Sequence, residues 1–402
     1  MKPGNTNVEP RVAKEAITRR SALRVMAAGA GAVLGAPMIN SGRYRLFAAS
    51  AQEYSARCLK LMQEAIVFDM LSPLTISGKW QQWARDPESF TERDAQRFRS
   101  SGISVFHHAF GLGGTNAYDS AVNYFGSTNA LVAGAEQYFM RIDSTADFAR
   151  AKQSGKIGLL AGIQNAEHFR RPADIDFFFA LGQRVSQLTY NSRNLIGNGS
   201  TERRDEGISD FGIAIINQMN TTGMAIDVSH CGDRTTLDAF EISKKPVLIT
   251  HSNVRALAGD HPRCKSDEAI RAVGKAGSVM GITGVRNFVS DKEPTTVDSV
   301  IDHFDHVRKL IGVEHLGVGS DVDLDGYDDL EPAALQQLKA GYKDTYRFRA
   351  KIDIEGLDHP RRMFDLTGGL IRRKYTDAEI RGILGGNFMR VLTEIWPVRK
   401  PA

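Results

Sequence analysis

Two histidines follow apolar runs at the same point of each run. His230 ends the run that begins at Ala225, and His251 ends the next run, which begins at Pro246. If the two runs are neighbouring buried strands, both imidazoles enter one pocket, as a metal site requires. A single histidine in such a place is more often structural, but two in the same register favour a pair of metal ligands.

Two charged residues lie in comparable places. Asp321 ends the run that begins at His315, where a carboxylate can bind a metal or serve as a general base. Asp323 and Asp325 follow closely, so a solvated acidic loop is the alternative. Arg263 lies in a loop, from which a guanidinium can hold a substrate carboxylate through two hydrogen bonds. A surface salt bridge is the alternative for this arginine.

Eight short apolar runs alternate with longer amphipathic stretches. The expected strands are Ala65–Leu71, Ile103–Ala109, Ile157–Ile163, Val185–Tyr190, Met224–Ser229, Pro246–Thr250, Ser278–Thr283 and His315–Gly319. Thr235–Ser243 and Val297–Ile311 have apolar residues at helical spacing and are expected helices. Eight strand–helix units in succession predict an α/β fold, the (β/α)8 TIM barrel. An open doubly wound sheet is the alternative, but no G-x-G-x-x-G follows the first run.

This fold would place the chemistry at the carboxyl ends of the strands. The polar residues at or just past the expected ends are His107, His108, Gln164, Tyr190, His230, His251 and Asp321. Beyond the eighth strand, Leu330–Leu357 is charged and contains tyrosines, which indicates an insertion or a lid. Asp365–Trp396 is expected to close the domain with helices, with Thr376 as an N-cap and a break at Gly385-Gly386.

The first 51 residues have the pattern of a twin-arginine signal peptide. Arg19 and Arg20 precede an apolar segment from Val25 to Met38, and Ala49-Ser50-Ala51 matches an A-x-A cleavage site. The segment is too short and too rich in glycine to span a bilayer comfortably. We therefore expect export by the twin-arginine machinery to the periplasm or another extracytoplasmic space, with 52–402 as a single barrel domain. An uncleaved anchor and a buried helix are the alternatives.

The net charge of +4 belongs to the leader. Residues 1–51 carry eight Lys/Arg and two acidic residues, whereas the rest of the chain carries 43 basic and 45 acidic residues. Nucleic-acid binding needs a clustered basic face, so no nucleic-acid partner is expected. Cys58, Cys231 and Cys264 are too few, and odd in number, for a disulfide framework. Three buried thiols are expected, with one bridge as the alternative.

Five motifs together resemble the membrane dipeptidase (renal-type) family of metallopeptidases. In chain order they are Asp227-Val228-Ser229-His230, Thr250-His251-Ser252-Asn253, Asp260-His261-Pro262-Arg263, Gly319-Ser320-Asp321 and Leu384-Gly385-Gly386-Asn387-Phe388. The likeness runs from about residue 64 to 396. It implies a (β/α)8 barrel that hydrolyses dipeptides with two zinc ions, and it suggests a homodimer.

The resemblance also implies roles for single residues. His230 and His251 correspond to the two histidines of one metal site. Arg263 corresponds to the arginine that holds the substrate carboxylate. Asp321 corresponds to the aspartate that transfers protons near the metals.

The sequence departs from the family pattern at four positions. Leu71 and Pro73 replace a histidine and an aspartate that bind the other metal. Gln164 replaces the bridging glutamate, and Tyr190 replaces the histidine that stabilises the tetrahedral intermediate. A bridging carboxylate neutralises two cations, whereas a neutral amide suits at most one. The departures therefore predict the loss of one complete metal site.

A single Zn²⁺, or another divalent metal, is expected on His230, His251 and Gln164, with an open position for water. Tyr190 would bind the substrate and donate a hydrogen bond to an oxyanion. His107 or His108 is an alternative source of a ligand, although adjacent strand residues face opposite ways.

The sequence thus favours an exported dipeptidase-like metallohydrolase that cleaves dipeptides or a related small amide. A non-catalytic relative that binds a small ligand or a partner is the alternative. A purely structural protein is a third interpretation, against which the retained histidine pair and Arg263 count.

Overall fold

Short buried strands form one parallel sheet. The structure, a computed structural model, describes residues 54–328 and 330–396, and the leader predicted at 1–51 lies outside them. The strands are β1 (Phe68–Asp69), β2 (Val105–Phe110), β3 (Phe139–Arg141), β4 (Ile157–Ile163), β5 (Gln183–Gln187), β6 (Ala225–Asp227), β7 (Val247–Ser252), β8 (Met280–Ile282) and β9 (Leu316–Val318). Their spatial order is β1-β2-β4-β5-β6-β7-β8-β9, and β3 pairs with β4 outside this path.

The sheet closes into a barrel between β9 and β1. The amide of Met70 donates to the carbonyl of Val318 over 2.8 Å. Just past β9, Ser320 donates its amide and its hydroxyl to the carboxylate of Asp69, over 2.8 and 2.6 Å. The predicted (β/α)8 barrel is therefore confirmed, and all eight predicted strands are present.

Helices fill the connections and the C-terminal region. They are α1 (Ala56–Glu64), α2 (Trp80–Arg85), α3 (Glu92–Ser100), α4 (Ala117–Gly134), α5 (Ala146–Ser154), α6 (Asp174–Leu181), α7 (Asp210–Thr222), α8 (Asp233–Ile242), α9 (Asp267–Lys275), α10 (Val297–Ile311), α11 (Pro332–Ala340), α12 (Arg362–Arg372), α13 (Asp377–Arg381) and α14 (Asn387–Ile395). Both helices predicted from spacing are present, as α8 and α10. Thr376 and Glu379 form the capping box that begins α13, and a π-helical turn at Gly382–Gly386 makes the predicted break before α14.

One strand is additional to the prediction, and another begins earlier than predicted. β3 is an additional strand of three residues, too short for its spacing to be recognised. β5 begins two residues before the predicted start, because Gln183 and Arg184 are buried although polar. Their polar groups are bonded: Gln183 accepts from His168 over 3.0 Å, and Arg184 donates to the carbonyl of Phe179 over 2.7 Å.

An apolar layer inside the barrel supports the polar layer above it. The buried cluster includes Phe68, Val105, Leu160, Val185, Ala225 and Leu248, and it packs against Phe388 and Leu392 of α14. Side chains two residues apart share one face of a strand. His107, Gln187, Asp227 and Thr250 follow four of these residues by two positions, so they lie on the same inner face, nearer the carboxyl end.

The three cysteines are buried and free, as predicted. Among residues 54–328 and 330–396, no helix is long and apolar enough to cross a bilayer.

A buried arginine braces the closure of the barrel. Arg362 of α12 donates to Asp69 over 3.2 Å, to the hydroxyl of Ser72 over 2.9 Å, and to the carbonyl of Asp323 over 2.8 Å. The side chains of Arg362 and Asp69 are 1% and 0% exposed. Burial raises the pKa of Asp69, and the guanidinium opposes this shift.

Replacing Arg362 by methionine should lower the free energy of unfolding by about 3–5 kcal/mol, because a buried carboxylate loses its partner. Urea unfolding at neutral pH measures this change. The double variant Asp69→Asn/Arg362→Met serves as the control, since it removes both charges and should recover part of the loss. A single variant within 1 kcal/mol of the wild type, roughly the range of an exposed ion pair, would show that the pair does not brace the barrel.

A buried histidine holds the segment that follows β7. Nδ1 of His303 accepts from the amide of Val254 over 3.0 Å, and Nε2 donates to the carbonyl of Val289 over 2.8 Å. Burial lowers the pKa of His303 to about 4. A proton on Nδ1 would break the first bond, so the native fold requires the neutral ring.

This histidine predicts a loss of stability in acid. The unfolded chain binds a proton near its ordinary pKa of 6.5, and the folded chain binds it only near 4. The stabilising effect of the neutral ring is thus complete above pH 6.5 and falls as the pH drops toward 4. Between pH 7.5 and 5.0, the free energy of unfolding of the wild type should fall by about 2 kcal/mol more than that of His303→Gln. Parallel pH dependences for the two proteins would contradict the assignment.

Candidate active site

Two imidazoles meet at the carboxyl ends of adjacent strands. His230 follows β6 by three residues, and His251 lies in β7. Their Nε2 atoms are 3.0 Å apart, and the two residues are 2% and 0% exposed. The structure thus brings the predicted pair together.

The hydrogen bonds on the opposite ring nitrogens determine the tautomers. Thr250 donates its hydroxyl hydrogen to Asp227 over 2.7 Å, so its oxygen accepts from Nδ1 of His251, also over 2.7 Å. Nδ1 of His230 donates to the side-chain oxygen of Asn191 over 2.8 Å. Both Nε2 atoms therefore direct lone pairs toward each other. Two facing lone pairs at this distance repel unless a cation lies between them, so the pair fits one metal ion.

Asp227 aligns both histidine-bearing segments. Its carboxylate accepts from the amide and the hydroxyl of Ser229, over 3.0 and 2.6 Å. It also accepts from the amide of Thr250 over 3.0 Å. The hydroxyl of Ser229 in turn accepts from the amide of His251 over 3.0 Å. One buried carboxylate thereby connects the ends of β6 and β7.

Burial keeps the imidazoles neutral. It lowers the pKa of both His230 and His251 well below the ordinary value, and the nearby Arg263 guanidinium lowers both further. A neutral imidazole is the form that binds a metal.

Arg263 lies beneath the site. Its terminal nitrogens donate to the carbonyl of Ser229, to the hydroxyl of Ser252 over 3.3 Å and to the carbonyl of His251 over 2.9 Å. Its Nε is buried and has no hydrogen-bond partner. In this arrangement the guanidinium positions the histidine-bearing segments, and its role toward a substrate carboxylate stays a prediction.

Lys265 supports the same segments from one side. Its ammonium group donates to the carbonyls of Val228 and Cys231, over 2.7 and 2.8 Å, and to the hydroxyl of Thr236 over 2.9 Å. Burial lowers its pKa to about 8. Nothing in the local sequence distinguishes this lysine from a surface lysine.

Tyr190 covers the pair. Its ring stacks on the ring of His230, with centroids 4.1 Å apart and planes at 20°. Its hydroxyl is 2.9 Å from the hydroxyl of Tyr342. Burial, with the neighbouring tyrosine hydroxyls, raises the pKa of Tyr190 well above its ordinary value, so the phenol stays protonated and can donate.

Asp321 approaches from the closure of the barrel. Its amide donates to the carbonyl of Leu71 over 2.8 Å, and its φ of 56° lies in the left-handed region, which is uncommon for residues other than glycine. Burial raises the pKa of Asp321 to about 7, against the effect of Arg263. A carboxyl group with this pKa can accept or release a proton near neutral pH.

A cavity of about 610 Å³ opens beside these residues. Gln164, Tyr190 and Asp321 line it, whereas His230 and His251 are buried and are not among the lining residues. Gln164 donates its amide hydrogen to the carbonyl of Ala109 over 3.0 Å, which leaves the amide oxygen as its acceptor. Aromatic side chains form much of the wall: Phe110, Tyr190, Phe288, Tyr327, Tyr342, Tyr346 and Phe348.

Apolar side chains occupy two of the positions at which the sequence departs from the family pattern. Leu71 is buried and Pro73 lines the cavity. His107 lies on the inner face of its strand, with Nδ1 2.6 Å from the carbonyl oxygen of Met70, and His108 packs on Trp80. Within residues 54–328 and 330–396, no three His, Cys, Asp or Glu side chains are grouped so that they would hold a metal. In this part of the chain, the candidate ligands that the structure brings together are therefore the two imidazoles.

Sequence reasoning missed three kinds of residue. Asn191 and Thr250 orient the imidazoles. Thr250 was part of a recognised motif but was given no role, and Asn191 was in no motif. Lys265 lies two residues past the arginine motif and had no signal. Tyr342 and Tyr346 lie in the stretch predicted as an insertion or lid, and their tyrosine content was the available signal.

Comparison with known proteins agrees with this architecture. A dipeptidase, verJ, from Clonostachys rogersoniana is 29% identical over 246 residues, which are 60% of this chain and 56% of that protein. The match therefore spans little more than half of the length of that relative. An amidohydrolase from Pseudomonas aeruginosa has a TM-score of 0.72 at 27% identity, covering 84% of this chain and 99% of its own.

A more distant structure has the same fold. It is a metallopeptidase from Rhodobacter sphaeroides, liganded with a phosphinate mimic of the dipeptide L-Ala-D-Ala, with a TM-score of 0.67 at 16% identity over 82% of this chain and 99% of its own. The family model of membrane dipeptidases matches residues 55–338 and 349–402. The chain belongs to the membrane dipeptidase family, peptidase family M19.

Proposed function

We propose that the chain is an exported dipeptidase-like hydrolase that cleaves a dipeptide or a related small amide with one bound divalent metal ion, Zn²⁺ above all. The observation that carries the proposal is the pair of facing Nε2 lone pairs on His230 and His251, 3.0 Å apart. Hydrogen bonds on both Nδ1 atoms maintain this arrangement before any metal binds. Such fixed tautomers are typical of metal-ligating histidines.

His230 and His251 would hold the ion together with the amide oxygen of Gln164. A bound divalent cation polarises a carbonyl and lowers the pKa of water. One ion rather than two is supported by the neutral side chains at Leu71, Pro73 and Gln164, since none of them can balance a second cation.

The protein groups supply proton transfer and orientation. Asp321 lines the cavity and would accept a proton from the attacking water and deliver it to the leaving amine. The hydroxyl of Tyr190 would donate a hydrogen bond to the oxygen that becomes negative as the amide is attacked. Tyr342 positions that hydroxyl over 2.9 Å. Arg263 would either bind a substrate carboxylate or position the loops that carry the histidines.

The twin arginines Arg19 and Arg20 and the apolar segment after them support export by the twin-arginine machinery. This route carries folded proteins, so a metal bound in the cytoplasm would travel with the chain. The periplasm or another extracytoplasmic space is the proposed location. A homodimer is proposed on family resemblance.

A non-catalytic role is the second candidate. It is favoured by the lack, in the described part of the chain, of any three grouped His, Cys, Asp or Glu side chains that would hold a metal. The ring of Tyr190 also lies directly on that of His230. In this alternative the cavity binds a small ligand without turnover.

Metal content separates the two candidates. The purified mature chain should contain about one zinc ion, because two imidazoles and one amide leave a tetrahedral ion one open position. The double variant His230→Ala/His251→Ala should contain none. Elemental analysis measures both, with His306→Ala as the control, since that imidazole bonds to Asp267 on another helix, apart from the pair.

The wild-type result decides between the candidates. A metal-free wild type would support the binding protein and end the proposal of a metallohydrolase. A content near two ions would show that unidentified ligands rebuild the second site.

Asp321 and its neighbour Asp323 both line the cavity. Asp321→Asn should lower kcat for a cleaved dipeptide by about 10²–10⁴-fold, the usual contribution of proton transfer by a positioned side chain. Asp323→Asn should have a much smaller effect, because Asp323 bonds to the amide of Asp325 within its own loop over 3.1 Å. Steady-state kinetics on the two variants measures the difference. Equal losses would remove Asp321 from the proposed role.

A further inference from the structure

A segment of ten residues that contributes to the cavity wall falls outside the family model. The match ends at residue 338 and resumes at 349. We call residues 339–348 the cap segment. It includes the end of α11 and a 3-10 turn at Asp344–Tyr346. Its members that line the cavity are Gly341, Tyr342, Lys343, Tyr346 and Phe348.

The three rings of the cap segment form one cluster. Centroids of Tyr342 and Tyr346 are 4.5 Å apart, those of Tyr342 and Phe348 are 5.2 Å apart, and those of Tyr346 and Phe348 are 4.9 Å apart. Phe288, after β8, meets Tyr346 edge to face at 5.3 Å. Tyr342 reaches the site through the hydroxyl of Tyr190. The aromatic wall therefore continues to the residues of the proposed chemistry.

The cap segment is fastened on several sides. The ammonium group of Lys339 donates to the carbonyls of Arg349 and Ala350, over 2.9 and 2.8 Å, and so closes the base of the segment. His261 donates to the carbonyl of Tyr346 over 2.7 Å. Arg347 donates to the carbonyl of Gly259 over 3.2 Å. A wall fixed in this way loses little entropy when a ligand binds.

The size and the lining of the cavity bear on the ligand that it can hold. Its volume of about 610 Å³ lies in the range that proteins use for drug-sized ligands. Besides Asp321, the wall contains Phe288, Tyr342, Tyr346 and Phe348. Such rings gain most from another aromatic group, through stacked or edge-to-face contacts.

We propose that the cap segment makes the site selective for dipeptides with a large aromatic side chain, whose ring packs against the wall formed by Tyr342, Phe348 and Phe288. The inference rests on the proposed function in one respect, since it takes the ligand to be a dipeptide. The aromatic preference is assigned to residues of the cap segment. It can therefore be tested separately from metal binding by His230 and His251.

Binding is measured first with ligands that cannot be hydrolysed. The probes are reduced-amide isosteres of Ala-Phe, Phe-Ala and Ala-Ala, in which CH2–NH replaces the amide. Calorimetric titration of the purified mature chain should give a Kd for one or both aromatic isosteres that is about tenfold lower than the Kd for the Ala-Ala isostere. Hydrolysis of the three corresponding dipeptides is then measured on the same protein.

Variants assign the preference to the cap segment. The preference is expressed as the Kd of the Ala-Ala isostere divided by the Kd of the aromatic isostere. Tyr342→Ala and Phe348→Ala should each reduce this ratio by roughly two- to tenfold, the effect of losing one aromatic contact. Tyr342→Phe keeps the ring and should retain the ratio. Thr345→Ala is the matched control, because Thr345 is exposed and does not line the cavity. Phe348→Leu tests the same point should the alanine variant fold poorly.

The outcomes separate this inference from the proposed function. Aromatic preference without turnover would support the cap segment as a selective wall and would contradict a hydrolase. Turnover of all three dipeptides with equal Kd values would support the hydrolase and overturn the inference. An aromatic preference that is unchanged in both Tyr342→Ala and Phe348→Ala would also overturn the inference. So would the result that none of the three isosteres binds.

Discussion

The geometry of the site depends on one buried carboxylate, Asp227. Its two oxygens accept four hydrogen bonds from Ser229 and Thr250, on the two segments that carry the histidines. Because Thr250 gives its hydrogen to this carboxylate, its oxygen must accept from His251. A charge at the end of one strand thus determines which nitrogen of an imidazole on the next strand is free. Replacing the carboxylate by an amide would change the direction of these bonds without changing the fold.

A similar buried and hydrogen-bonded carboxylate lies at the closure of the barrel. Asp69 at the end of β1 accepts two hydrogen bonds from Ser320, beyond β9, as Asp227 does from Ser229 beyond β6. Asp69 also has a guanidinium partner, Arg362. Buried charges are costly unless they are bonded on every side. Here bonding of this kind aligns strand ends at the edge of the barrel where the side chains of the site converge.

Sequence patterns predict the barrel well because strand burial and strand order follow from local composition. The eight runs, the two clearest helices and the capping box at Thr376 are all present. β3 is not predicted, because three residues are too few to show an alternating pattern. The predicted start of β5 is two residues late, because the polar residues Gln183 and Arg184 resemble a loop in the sequence. The histidine pair was predictable, since each imidazole ends an apolar run.

Other parts of the site depend on long-range contacts. Arg263 looks like a substrate-binding residue in its motif, yet its terminal nitrogens are bonded within the protein. Lys265 and Asn191 act through partners more than 30 residues away, on other loops. Such contacts exist only once the barrel has closed, so no local pattern contains them.

The proposed single ion would change what the rest of the cavity must supply. One ion would stabilise less developing charge than two, so more of the barrier would have to be lowered by orientation and by exclusion of water. The aromatic wall would suit this task, because it would remove a bound substrate from solvent and lower the local dielectric constant around Asp321 and Tyr190. Burial raises the pKa of both residues and so keeps a phenol hydrogen and a neutral-range carboxyl group available. Under the proposed function, the neutral side chains of Leu71, Pro73 and Gln164 and the cavity wall of tyrosine and phenylalanine would act on the same step.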